Sequence, residues 1–149
     1  MFSKILCPTD LSVASNAAVK KTVQIAHQYN SKIIMLNIHE EFMTKEEMGM
    51  LRVSIDTMKS QFEKTALKAK KEMREEIISL HAEDIEVEYI IRDGKPNKVI
   101  CEEAEKTQAD LVIMGVNDKS VSNIIFRSTA SFVIDHVKIP VLVVPMKIK

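Results

Sequence analysis

Ile5-Leu6-Cys7-Pro8-Thr9-Asp10-Leu11-Ser12 opens as a short apolar run and turns polar at Thr9, the pattern of a buried strand that empties directly into a loop. Ser12 stands just before an Ala-rich stretch and can accept the orphan N–H groups of a first helix. Ala14, Ala18, Ile25 and Tyr29 then fall at helical spacing, and Asn30 makes a stop. Lys32 to Ile38 (KIIMLNI) follows as a second strand, apolar almost throughout, as expected when helices cover both of its faces. A buried strand, a helix and another buried strand in succession predict a parallel pair joined by a right-handed crossover.

The same alternation continues downstream. Thr44 and Glu47 have the spacing of a capping box and predict the start of a long second helix. Leu51, Ile55, Met58, Phe62, Ala66, Ala69, Met73, Ile77 and Leu80 recur every three or four residues, with Lys59, Lys64, Lys70, Glu72 and Glu75 on the opposite face. Glu86 to Ile91 (EVEYII) predicts a third strand ending at Arg92-Asp93-Gly94. Pro96 opens a third helix through Val99, Ile100 and Ala104, at a position where its missing N–H would be unpaired anyway. Asp110 to Met114 (DLVIM) predicts a fourth strand closed by Gly115. After a polar stretch come a last helix, Thr129 to His136, and a last strand, Val141 to Val144. The expected architecture is a single α/β domain over residues 1–149 with a five-stranded parallel sheet. The irregular segment Glu40 to Gly49, with Phe42, Met43 and Met48, is expected to pack on its own helix, the alternative being a partner surface.

Composition narrows the function. The 21 basic and 21 acidic side chains cancel, which argues against a nucleic-acid or anionic-membrane partner, either of which favours an uncompensated basic surface. Cys7 and Cys101 stand far apart with no Cys or His at ligand spacing, so reduced, buried thiols and no metal are expected. The N-terminus lacks the features of a signal peptide, and no apolar stretch nears the roughly 20 residues a membrane span needs, so a cytoplasmic protein is expected.

In an open parallel sheet, ligands bind beyond the carboxyl ends of the strands. Those segments here hold neither a Gly-rich dinucleotide fingerprint nor a Walker motif, and the chain has only 3 glycines, which excludes a Rossmann dehydrogenase or a P-loop kinase. His39 and His136 lack a neighbouring nucleophile or carboxylate at catalytic spacing. His136 suits the last turn of a helix, where a cation complements the dipole.

Ile5 to Ser12, Leu36-Asn37-Ile38, Gly94-Lys95-Pro96, Asp110 to Gly115 (DLVIMG), and His136 followed by Ile139-Pro140-Val141-Leu142-Val143-Val144 together resemble the universal stress protein family, in order and over nearly the whole chain. The resemblance implies strand order 3-2-1-4-5 and a homodimer through the last strand, Val141, Leu142, Val143 and Val144. In the family's nucleotide-binding branch, the loop after strand four carries a glycine, a second glycine after two residues, and a Gly-Ser or Gly-Thr pair after nine more. Gly115 matches the first; Asp118 and Ser128-Thr129 replace the others. The Asp118 carboxylate opposes a polyphosphate of like sign, and a Cβ at Ser128 limits backbone approach to phosphate, while Thr129 and Ser131 remain as hydroxyl donors. The resemblance places Asp10 at the nucleoside end of a cleft and the Ile38 backbone near a base, although Asp10 is equally suited to capping the turn before Ser12. The expectation is a non-enzymatic stress-response protein, acting by binding or contact with unidentified protein partners, with no tightly held cofactor. The alternative is an ATP- or AMP-binding member using Asp10, Ile38, Gly115, Asp118, Ser128, Thr129 and Ser131.

Overall fold

A computed structural model describes residues 1–39, 50, 54–117 and 127–146. Its strands are β1 (Lys4–Pro8), β2 (Lys32–His39), β3 (Val87–Asp93), β4 (Leu111–Asn117) and β5 (Val141–Met146). The helices among the described residues are α1 (Val13–Tyr29), α2 (Ile55–Ser79), α3 (Pro96–Lys106) and α4 (Arg127–His136). All strand pairs are parallel, in the order β3-β2-β1-β4-β5, as expected.

Alternation along the strands divides the core into two layers. Ile5, Cys7, Ile33, Met35, Leu111 and Ile113 meet Val19, Val23 and Ala26 of α1 and Ala69, Met73 and Ile77 of α2. Leu6, Ile34, Leu36, Val112 and Met114 face Val99, Ile100 and Ala104 of α3 and Ala130 and Val133 of α4. Both faces of the central strands are thus covered, which is why KIIMLNI reads as a continuous apolar run.

The ends of α1 follow the sequence reading. Ser12 adopts an extended backbone and its hydroxyl accepts from Ser15 N–H, while Asn30 takes the left-handed conformation and its N–H closes onto Ala26 O. The long helix differs from expectation. The Thr44 capping box lies outside the described residues, and α2 begins at Ile55 behind an extended Ser54 whose hydroxyl accepts from Thr57 N–H at 3.0 Å. A helix unbroken from Thr44 to Leu80 is therefore not formed.

Every strand runs further at its carboxyl end than its sequence boundary suggests. β3 continues through Asp93, β4 passes through Gly115 to Asn117, and β5 includes Pro145 and Met146. Gly115 fits within a strand because Val144 pairs with it from β5. Pro145 is tolerated because β5 is an edge strand with one side unpaired by the sheet. Near the amino ends of β1 and β4, the Asp110 carboxylate accepts from Ser3 N–H at 2.8 Å and Lys4 N–H at 3.1 Å, tying the two strand starts together.

Candidate functional site at the carboxyl ends of the central strands

β1 is flanked by β2 on one side and β4 on the other, and the chain leaves β1 towards α1 on the face shared with α2. The connection order reverses at this point, the place where open parallel sheets bind their ligands. Ile5 pairs with Leu111 and Leu6 with Val112.

The loop leaving β1 is held by its own polar groups. Asp10 Oδ1 accepts from Ser15 Oγ at 2.6 Å and from Ser12 N–H at 2.9 Å, and Asp10 N–H donates to Ser15 Oγ at 3.2 Å. Leu11 takes φ 65°, a left-handed conformation that disfavours a side chain by about 1–2 kcal/mol, and its N–H donates to Thr9 Oγ1 at 3.0 Å. One Asp10 oxygen thus caps the turn, the structural role that the sequence left level with the nucleoside role.

Ile38 is positioned by strand parity. Thr9 N–H donates to Leu36 O and Lys32 N–H to Ser3 O, so the even-numbered residues of β2 turn their main chain towards β1. Ile33 N–H donates to Glu86 O and His39 O accepts from Gly94 N–H, so the odd ones turn towards β3. Ile38 therefore directs its N–H and C=O to the β1 side, beyond the last β1 strand residue, Pro8. The acceptor that would continue the ladder, Thr9 O, receives Asn37 Nδ2 at 2.9 Å instead. The Ile38 side chain stays buried in the layer that holds α3 and α4, and its peptide groups face the end of β1.

Asn37 was not singled out by sequence reasoning. It is 3% exposed, and its Oδ1 has no hydrogen-bond partner among the described residues. The available signal was an amide in an otherwise apolar strand, KIIMLNI, where a buried polar side chain needs a specific reason.

The phosphate side is only partly described. Gly115 lies in β4, while Asp118 is outside the described residues. Ser128 and Thr129 fall in the first turn of α4, where helix N–H groups lack intrahelical acceptors. Ser128 is exposed, whereas Thr129 is buried. Ser131 is the fifth helical residue, so its N–H belongs to the helix ladder and its exposed hydroxyl is its free contribution.

Neither histidine assembles a catalytic group with its described neighbours. His39 closes β2, and partial burial lowers its pKa against an opposing pull from Asp93. His136 ends α4, stacks on Phe132 at 3.9 Å between ring centroids, and engages Phe132 O through Nδ1 at 2.7 Å. Cys7 is fully buried, which pushes its thiol up to about 12, and Cys101 is also raised by burial, so neither is a ready nucleophile. Among the described residues no group of His, Cys, Asp and Glu could hold a metal ion, and no helix is long and apolar enough to cross a membrane.

A model of the universal stress protein family matches residues 1–145. The universal stress protein MJ0531 of Methanocaldococcus jannaschii is 30% identical over 147 residues, covering 97% of this chain and 82% of the relative. Among solved structures, MJ0577 superposes with a TM-score of 0.76 at 25% identity, covering 100% of this chain and 99% of its own. A universal stress protein solved in complex with cAMP shares the fold, with a TM-score of 0.66, 20% identity and 98% of each chain covered.

Proposed function

The chain belongs to the universal stress protein family, and we propose that it acts there by binding and contact, without turnover, as a cytoplasmic homodimer that does not hold ATP tightly. The carrying observation is the phosphate end of the site. Ser128 occupies the first turn of α4 where the nucleotide-binding branch has glycine, and Asp118 adds a carboxylate where that branch has another. A Cβ restricts backbone approach, and the acid repels a polyphosphate. The output of such a protein is a contact surface presented to protein partners. β5 supports the dimer: it is an edge strand with a half-exposed Leu142, and a second copy is a natural cover for its open side.

Ile38 favours a second reading, in which the nucleoside end persists without the polyphosphate end. Its outward-facing peptide groups suit the edge of a base, and a carboxylate such as Asp10 suits ribose hydroxyls. The cAMP complex of a fold relative agrees with this, since a cyclic monophosphate carries far less charge than ATP.

Thermal unfolding with adenosine, AMP and ATP in the millimolar range separates these readings, because a ligand that binds only the folded state raises the midpoint. No shift with any of the three supports the first. A shift with adenosine and AMP that shrinks with ATP supports the second. A shift largest with ATP overturns both. The double variant Asp118→Gly, Ser128→Gly should gain an ATP-dependent shift; an unchanged response would mean that these positions do not govern phosphate binding.

A further inference from the structure

Where β1 gives way to its loop, the pairing with β2 stops in an unusual manner. Pro8 pairs with Leu36, and Thr9 N–H donates to Leu36 O at 2.8 Å, so the ladder is intact to that point. In a parallel ladder the next two bonds would run from Ile38 N–H to Thr9 O and from Leu11 N–H to Ile38 O. Among the described residues neither forms. Thr9 O receives Asn37 Nδ2 at 2.9 Å, and Leu11 N–H donates to Thr9 Oγ1 at 3.0 Å. Both partners of the Ile38 peptide groups are thus diverted to side chains, the acceptor to Asn37 and the donor to Thr9.

We propose that Asn37 is a positioning residue: by taking the Thr9 carbonyl it stops the β1–β2 ladder one step early and keeps Ile38 N–H and C=O open to a ligand that carries an acceptor beside a donor. This role rests on the second reading above, in which the nucleoside end of the site persists. Asn37 itself need not touch the ligand.

The direction of the side chain supplies the mechanism. Asn37 alternates along β2 with Ile33 and Met35, which face the layer of α1 and α2. A carbonyl oxygen can accept twice, but a bond to an amide on that face draws Thr9 O out of the plane of the sheet, away from the line along which Ile38 N–H points. On the other side of the same peptide, Leu11 stands in a left-handed conformation at φ 65°, and the enclosed Thr9 hydroxyl holds its N–H back from Ile38 O.

Asn37 keeps this place at a cost in stability. It is enclosed, and its Oδ1 has no partner among the described residues, an arrangement that destabilises a folded chain. Leucine has nearly the same shape and would sit in this apolar layer without an orphan acceptor. What the amide supplies and leucine does not is the donor to Thr9 O.

In the intact wild-type chain, NMR scalar couplings across hydrogen bonds should join Asn37 Nδ2 to the Thr9 carbonyl carbon and show none from Ile38 N to that carbon. The Ile38 amide should also exchange faster than that of Leu36, one ladder step earlier. Asn37→Leu should create the coupling between Ile38 N and the Thr9 carbonyl carbon and slow Ile38 exchange about tenfold. Adenosine should then bind about tenfold more weakly to Asn37→Leu than to the wild type, the scale of one lost hydrogen bond. An Ile38–Thr9 coupling already present in the wild type would overturn the proposal. So would an Ile38 amide that exchanges as fast in Asn37→Leu and in the smaller Asn37→Ala as in the wild type, or undiminished adenosine affinity in a variant whose Ile38 amide has become protected. A wild-type chain that binds no adenosine would remove the nucleoside reading alone, because the couplings decide the role of Asn37 without any ligand.

Discussion

Gly94 sits at φ 143°, a backbone region essentially reserved for glycine, and a Cβ built there would meet Val99 Cγ2 at 2.9 Å. Its N–H donates to His39 O at 3.1 Å, so it ends the β2–β3 ladder as the chain turns into α3. Gly94→Ala should therefore lower unfolding stability by about 1–3 kcal/mol in urea denaturation; a variant as stable as wild type would show that the turn relaxes freely. The Gly94-Lys95-Pro96 signal was legible in the sequence as a break before a helix. The close approach of Val99 was not, because it depends on how the turn at Gly94 directs the first turn of α3. Asp10 shows the same division: its type suited both a cap and a ligand group, and only the positions of Ser12 N–H and Ser15 Oγ show that one oxygen is used for capping.

Helix boundaries were legible where a single residue type could cap. Ser12 and Asn30 delimit α1 as their chemistry suggests. For α2 the sequence reading named Thr44 with Glu47, whereas the helix begins behind Ser54, and an apolar stripe that runs past both does not choose between them. Elements are also joined by contacts that no periodicity reveals. Arg92 Nε on β3 donates to Glu103 Oε1 on α3 at 2.8 Å, and the Glu103 side chain is 3% exposed against 48% for Arg92. A carboxylate this enclosed depends on its partner. Arg92→Ala is expected to cost about 2 kcal/mol, the scale of a hydrogen bond to a charged group, and to lose most of that cost when combined with Glu103→Gln. Full additivity in this double-mutant cycle would mean the two side chains are not coupled. Sequence reading put Glu103 on no list because an acid in a helix is ordinarily exposed.

Across the molecule, the order β3-β2-β1-β4-β5 leaves β5 at one margin, with Leu142 37% exposed. If a second copy covers this margin, Leu142→Lys should shift the sedimentation profile from dimer to monomer while leaving the far-ultraviolet dichroism unchanged. A wild-type chain that sediments as a monomer at micromolar concentration would remove the dimer from the proposed function. The strand-helix alternation, the doubly covered central strands and the loss of two loop glycines were all present in the linear chain, because hydrophobic period and backbone permissiveness are local properties of residue type. The outward turn of the Ile38 peptide groups and the buried Asn37 amide bound to Thr9 O required the folded molecule. Each joins residues from separate elements, and a hydrogen bond depends on a distance of about 3 Å and a direction, which no spacing along the chain encodes.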